Sequence, residues 1–194
     1  MPAVLFEMLL AHFLGDFVFQ SNDLIVRKYR SWTGTFEHVC IISFFTVLFL
    51  FPYWHYHETW RAASLIFVTH FFQDILKIKY DIHFNAKRKS TLPFFMDQFL
   101  HIGLIVYLTT LFSGLEASAM PIWLHNLYFS QLLTLYLLGL VGFSFVYDLT
   151  AFQFLRQKSE APLTYTPNYK GMRNRLLWFS VAYVLFLLVN GSLV

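Results

Sequence analysis

Apolar residues in this chain run in long stretches rather than alternating. Six stretches come close to the roughly 20 residues that a helix needs to cross about 30 Å of hydrocarbon. They lie at 3–20, 35–53, 60–78, 93–113, 129–152 and 175–194. Breaks fall between them: Pro52 closes the second, Ser90, Thr91 and Pro93 precede the fourth, and Pro162 and Pro167 interrupt the approach to the sixth. The pattern predicts an all-α membrane protein of six transmembrane helices, built as three two-helix hairpins. The first stretch carries Glu7, His12 and Asp16 but no basic start or small-residue cleavage site, so it reads as a retained helix.

Composition agrees. The 194 residues are 57% hydrophobic, 21% aromatic and 13% charged, whereas a soluble domain carries about 25% charged residues. A soluble globule, a disordered chain and a coiled coil are excluded on these values. Cys40, the one cysteine, excludes an internal disulfide and a cysteine-based zinc or iron–sulfur site. A single transmembrane domain over 1–194 is expected, with a four-helix, motif-bearing part at 1–113 and a two-helix C-terminal hairpin at 129–194.

The net charge of +3 matters less than where the charge lies. Every Lys and Arg except Arg61 falls in or beside the connections after the first, third and fifth stretches, from Arg27, Lys28 and Arg30 through Lys77, Lys79 and Lys87–Lys89 to Arg156, Lys158, Lys170, Arg173 and Arg175. Such a bias places those connections in the cytoplasm and both N and C termini outside. It predicts a multi-pass membrane protein with those connections on the cytoplasmic side. The run Lys87-Arg88-Lys89 reads as a topology signal that meets anionic lipid headgroups. Membrane lipids are thus the expected partners and nucleic acid is not; a protein partner stays open.

The chemistry lies in polar residues inside apolar stretches. A carboxylate at mid-membrane costs about 2.5–3.5 kcal/mol on insertion scales and needs a partner. His12 and Asp16, His70 and Asp74, and Asp97 and His101 are each i,i+4 pairs, sharing one helix face. His38 opens the second stretch, and Gln20, Lys77 and Gln98 lie close by in sequence. Alternating helices bring all these positions to one membrane face, in the cytoplasmic leaflet. His12-Phe13-Leu14-Gly15-Asp16 and His70-Phe71-Phe72-Gln73-Asp74 repeat one H-F-x-x-D pattern, and Ser144-Phe145-Val146-Tyr147-Asp148 keeps its Phe and Asp.

These elements, together with Asp97-Gln98-Phe99-Leu100-His101, resemble the prokaryotic integral membrane family catalogued as domain of unknown function 3307. The resemblance covers about the first 110 residues. It implies a bacterial membrane protein with these polar motif residues, and it implies no activity.

Neutral imidazole and carboxylate suit a divalent transition metal such as Zn, Mn or Fe, and facing helices of a bundle can supply the ligands. The expected ligands are His12, Asp16, His38, His70, Asp74, Asp97 and His101. Lys77, Gln20 and Gln98 are candidates to support them or touch substrate. A metal-dependent hydrolase or transferase acting on a lipid-linked substrate follows from that set. A proton or cation transport component, bis-histidine haem ligation, and a non-catalytic accessory protein with structural Asp–His pairs are the alternatives.

Overall fold

A computed structural model describes residues 2–85, 90–159 and 164–190. The run Lys87-Arg88-Lys89 and Pro162 lie outside the described residues. The described residues are all-α. Helix α1 (Pro2–Phe13) continues into a π-helical turn at Leu14–Val18 and is followed by the short α2 (Asn22–Arg30). Helices α3 (Trp32–Phe49), α4 (His57–Tyr80) and α5 (Leu92–Thr109) come next. A short α6 (Ile122–Tyr128) precedes α7 (Gln131–Val141), which runs through a π-helical turn at Gly142–Val146 into α8 (Tyr147–Lys158). Helix α9 (Tyr169–Val189) is last.

The expected six transmembrane helices in three hairpins are not what the chain forms. Among the described residues, four helical segments are long and apolar enough to cross a membrane: Trp32–Phe49, Leu92–Phe112, Gln131–Lys158 and Tyr169–Val189. A fifth arises only if Ala3–Val18 and Asn22–Arg30 count as one span, and those two are bent by 86°. Two physical causes account for the difference. Helix α4 has 24 residues, but Glu58, Arg61, His70, Asp74, Lys77 and Lys79 leave it too polar to qualify. The first segment stops at Val18, and the chain then turns through about a right angle, so that α2 packs against α3 instead of extending the span. With the six-helix count goes the orientation of the termini that was derived from it.

Local chemistry explains the turn. Ser21 caps α2 by accepting a hydrogen bond from the Leu24 amide at 3.2 Å. Ser31 ends α2 and caps α3, accepting from the Gly34 amide at 3.4 Å. Gly34 lets the two helices touch: a Cβ there would stand 2.5 Å from the Lys28 amide nitrogen and 2.6 Å from the Arg27 carbonyl oxygen. Arg27 closes the corner with a two-pronged ion pair to Glu37, at 2.8 and 3.1 Å.

Helices α1, α3, α4 and α5 form the central bundle, with α1 also packed on α7. Its apolar half is filled by Val4, Met8, Ile42, Ile66, Ile105 and Leu108, all buried. Helix α9 leans on α7 through Phe179, which fills the space that Gly139 leaves open. Outward-facing Phe44, Phe72, Leu76, Phe99, Leu177 and Trp178 are more than half exposed. An apolar exterior of this kind is solvated by lipid rather than water, and the protein is a multi-pass membrane protein.

Candidate metal centre

Four helices deliver the predicted polar residues to one place. His12 ends α1 and Asp16 sits in the π-helical turn that follows, where a wider turn re-aims the side chains. His38 lies in the second turn of α3, His70 and Asp74 in the second half of α4, and Asp97 and His101 in the first half of α5. All seven are buried, from 0% exposure at His38 to 8% at Asp16.

Asp16 is at the centre of the cluster. One of its oxygens lies 3.0 Å from His38 Nε2 and 3.5 Å from His70 Nε2. The other is 3.6 Å from His12 Nε2 and accepts a hydrogen bond from Gln98 Nε2 at 2.9 Å. Asp74 lies 3.6 Å from His38, 3.9 Å from His70 and 3.9 Å from His101. His101 Nε2 and Asp97 are 3.2 Å apart, and the His70 and His101 rings stack at 3.8 Å.

These atoms form three overlapping ligand trios: His12, Asp16 and His70; His38, His70 and Asp74; and Asp74, Asp97 and His101. Two atoms bound to one ion at about 2.1 Å each can stand up to about 4.2 Å apart. The histidine–carboxylate separations above, 3.0 to 3.9 Å, fall within that limit. His101 Nδ1 is buried with no hydrogen-bond partner among the described residues, while the Nε2 atoms of His70 and His101 face carboxylates of Asp16 and Asp97 at 3.5 and 3.2 Å. A buried ring nitrogen left this way costs about 1–3 kcal/mol, and a bound cation removes that cost. The donor set therefore fits a divalent ion, and the sharing of His70 and Asp74 between trios fits more than one.

The three expected supporting residues occupy different positions. Gln98 bridges Asp16 and His12, with Oε1 3.3 Å from His12 Nε2. Gln20 Nε2 is 3.2 Å from both ring nitrogens of His38. Lys77 Nζ pairs with Asp97 at 3.0 Å. Cys40, although close to His38 in sequence, faces outward and takes no part.

A family model described as a protein of unknown function (DUF3307) matches residues 4–148, three quarters of the chain and every one of the seven His and Asp positions. The chain belongs to the DUF3307 family. The match runs past the first 110 residues that carry the motifs and reaches Asp148 in α8. No curated protein and no solved structure matches the chain.

Sequence reasoning missed one participant within the DUF3307 region. Lys28, on the sharply turned α2, puts Nζ 2.6 Å from Asp74 with both side chains buried. It had read as one of the basic loop residues that set orientation. A signal was present: the Ser21 cap followed by Leu24 and Lys28, one turn apart on one helix face. Among the described residues, the α7–α8 counterpart of the repeat makes no such cluster. There Asp148 pairs with Arg175 at 3.0 Å and accepts from the Tyr165 hydroxyl and the Asn168 amide, each at 3.1 Å. Burial, and then Asp148 beside it, pushes the Tyr165 phenol up, so it stays a donor.

Proposed function

We propose that this protein holds one or two divalent transition-metal ions, with Zn, Mn and Fe as the candidates, and uses them as a hydrolase or transferase on a lipid-linked substrate. His12, Asp16, His38, His70, Asp74, Asp97 and His101 are the ligands in this reading. The observation that carries it is the set of three overlapping His/Asp trios, every member of which is buried. A bound divalent ion supplies Lewis acidity toward a phosphoryl or acyl group and activates water.

The chain's own residues prepare the rest. Gln98 and Gln20 fix the orientation of Asp16, His12 and His38 through their amides. Lys77, still a quarter exposed while paired with Asp97, can turn an N–H toward an anionic oxygen of substrate. The basic residues Arg27 and Arg30 lie in the last turn of α2, which packs on α3, and Lys79 lies in the last turn of α4, which carries part of the cluster. That charge bias supports the cytoplasmic leaflet of a bacterial inner membrane as the site's location.

Transport requires a polar path across the bilayer. Beyond the histidines the bundle is closed by Met8, Ile42, Ile66 and Ile105, and the cavity there is about 10 Å³, barely one water probe in size. Purely structural Asp–His pairing accounts for the Nε2 contacts of His70 and His101 but leaves His101 Nδ1, buried and without a hydrogen-bond partner among the described residues, unexplained.

Metal analysis of the protein purified without chelators tests the proposal. At least one transition-metal ion per chain is expected, lost in His70→Ala and Asp74→Ala. A wild-type chain that stays folded, arrives metal-free and takes up none of the three metals on addition would overturn it.

A further inference from the structure

We propose that the cavity beside the His/Asp cluster receives the phosphate group of an anionic amphiphile, and that the hydrocarbon tail leaves along the α4–α5 groove. This deepens the metal-centre reading and rests on it.

The cavity is about 290 Å³ and lies between α2, α4, α5, α8 and the segment 164–168. Its wall carries three cations, Lys28, Lys77 and Arg156, and three carboxylates, Asp16, Asp74 and Asp97. The carboxylates are the candidate metal ligands. Without a metal the two sets cancel, and each divalent ion bound by the carboxylates leaves the wall positive. A positive, partly desolvated wall selects an anion.

Arg156 gives that preference a specific donor. Its Nε is buried and has no hydrogen-bond partner among the described residues. One turn earlier, the Gln153 Oε1 atom is in the same condition and lines the same cavity. Both stand on α8, opposite the metal ligands, with nothing in the described protein to complete them. A guanidinium fork matches two phosphate oxygens, and an amide oxygen accepts from a protonated phosphate or a neighbouring hydroxyl.

The tail's route comes from a different opening. Between α4 and α5 runs a groove of about 440 Å³ walled by Leu76, Tyr80, Leu92, Met96 and Leu100. It shares Lys77 and Asp97 with the phosphate cavity. Leu76, Leu92 and Leu100 are at least half exposed on the outside of the bundle, where they meet lipid. Lys77 therefore stands where a charged head would join an apolar tail, its stem along the groove and its ammonium at the cavity.

Calorimetric binding of dodecyl phosphate and of inorganic phosphate to the metal-analysed protein in maltoside micelles tests this. Dodecyl phosphate should bind the wild-type chain more tightly than inorganic phosphate does. Arg156→Gln should weaken dodecyl phosphate by roughly tenfold or more, the value of one charge-assisted contact, and Arg156→Lys should recover part of it. Leu100→Trp, which fills the groove, should weaken dodecyl phosphate and leave inorganic phosphate unchanged. Metal content should stay at the wild-type level in all three variants. Unchanged dodecyl phosphate affinity in Arg156→Gln would overturn the phosphate site. Equal affinity for the two probes, or indifference to Leu100→Trp, would overturn the tail route. Either failure with metal still bound leaves the metal centre standing, whereas a metal-free wild-type chain removes that reading by itself.

Discussion

Lys28 Nζ and Asp74 Oδ2 lie 2.6 Å apart, with both side chains more than 90% buried. The pair joins α2 to the second half of α4 and makes a lysine part of the wall around the His/Asp cluster. Two charges removed from solvent in this way are mutually dependent: the loss of one strands the other.

Lys28→Met is therefore expected to lower stability by about 3–5 kcal/mol when metal is withheld. A divalent ion on Asp74 would replace the missing cation. Thermal unfolding in detergent should show a large drop in Tm with chelator and a much smaller one with added metal. Equal drops in the two conditions would mean that Asp74 is not a ligand.

Gly34→Leu should act on the same pair from a distance. Its Cβ would meet the Arg27 carbonyl and the Lys28 amide, both backbone atoms that cannot swing aside. Overpacking of this kind costs about 1–3 kcal/mol. Crosslinking of cysteines placed on α2 and α4 should fall in the variant if α2 is pushed off α3.

Asp16→Asn keeps the shape of a side chain that lies within 3.6 Å of His12, His38 and His70. Stoichiometric metal should fall by at least half, while the chain remains folded by circular dichroism. Retention of the full metal content would remove Asp16 from the ligand set.

Arg175→Met should loosen the segment 164–168 without touching the cluster. Arg175 shares Asp148 with Tyr165 and Asn168, and Asn22 of α2 donates to the Tyr165 carbonyl at 3.2 Å. Loss of a charge-assisted bond in that partly buried corner costs about 1–3 kcal/mol. Faster amide exchange confined to 164–168, with unchanged metal content, is the expected result.

The His/Asp cluster was legible because the surroundings are apolar. Asp16, Asp74 and Asp97 stand out where any charge is costly, and the helical period pairs each with a histidine one turn away. Arg156 and Gln153 were not legible. Their sequence neighbourhood reads as the polar end of a helix, and only the packing of α8 across the cluster turns them toward a cavity. The six-span expectation failed for a related reason. Hydropathy treats each stretch by itself, whereas α4 pairs its polar residues with three neighbouring helices, α2, α3 and α5.

The sequence by itself determined an all-α membrane protein of the DUF3307 family and the seven residues that meet at its centre. Helix period and the cost of buried charge act within a few residues, so both can be read along the chain. The tertiary structure decided the 86° turn after Val18, the number of helices fit to cross the bilayer, and the place of Lys28 against Asp74. Those depend on how closely two backbones can approach, as at Gly34, and on contacts between residues far apart in sequence.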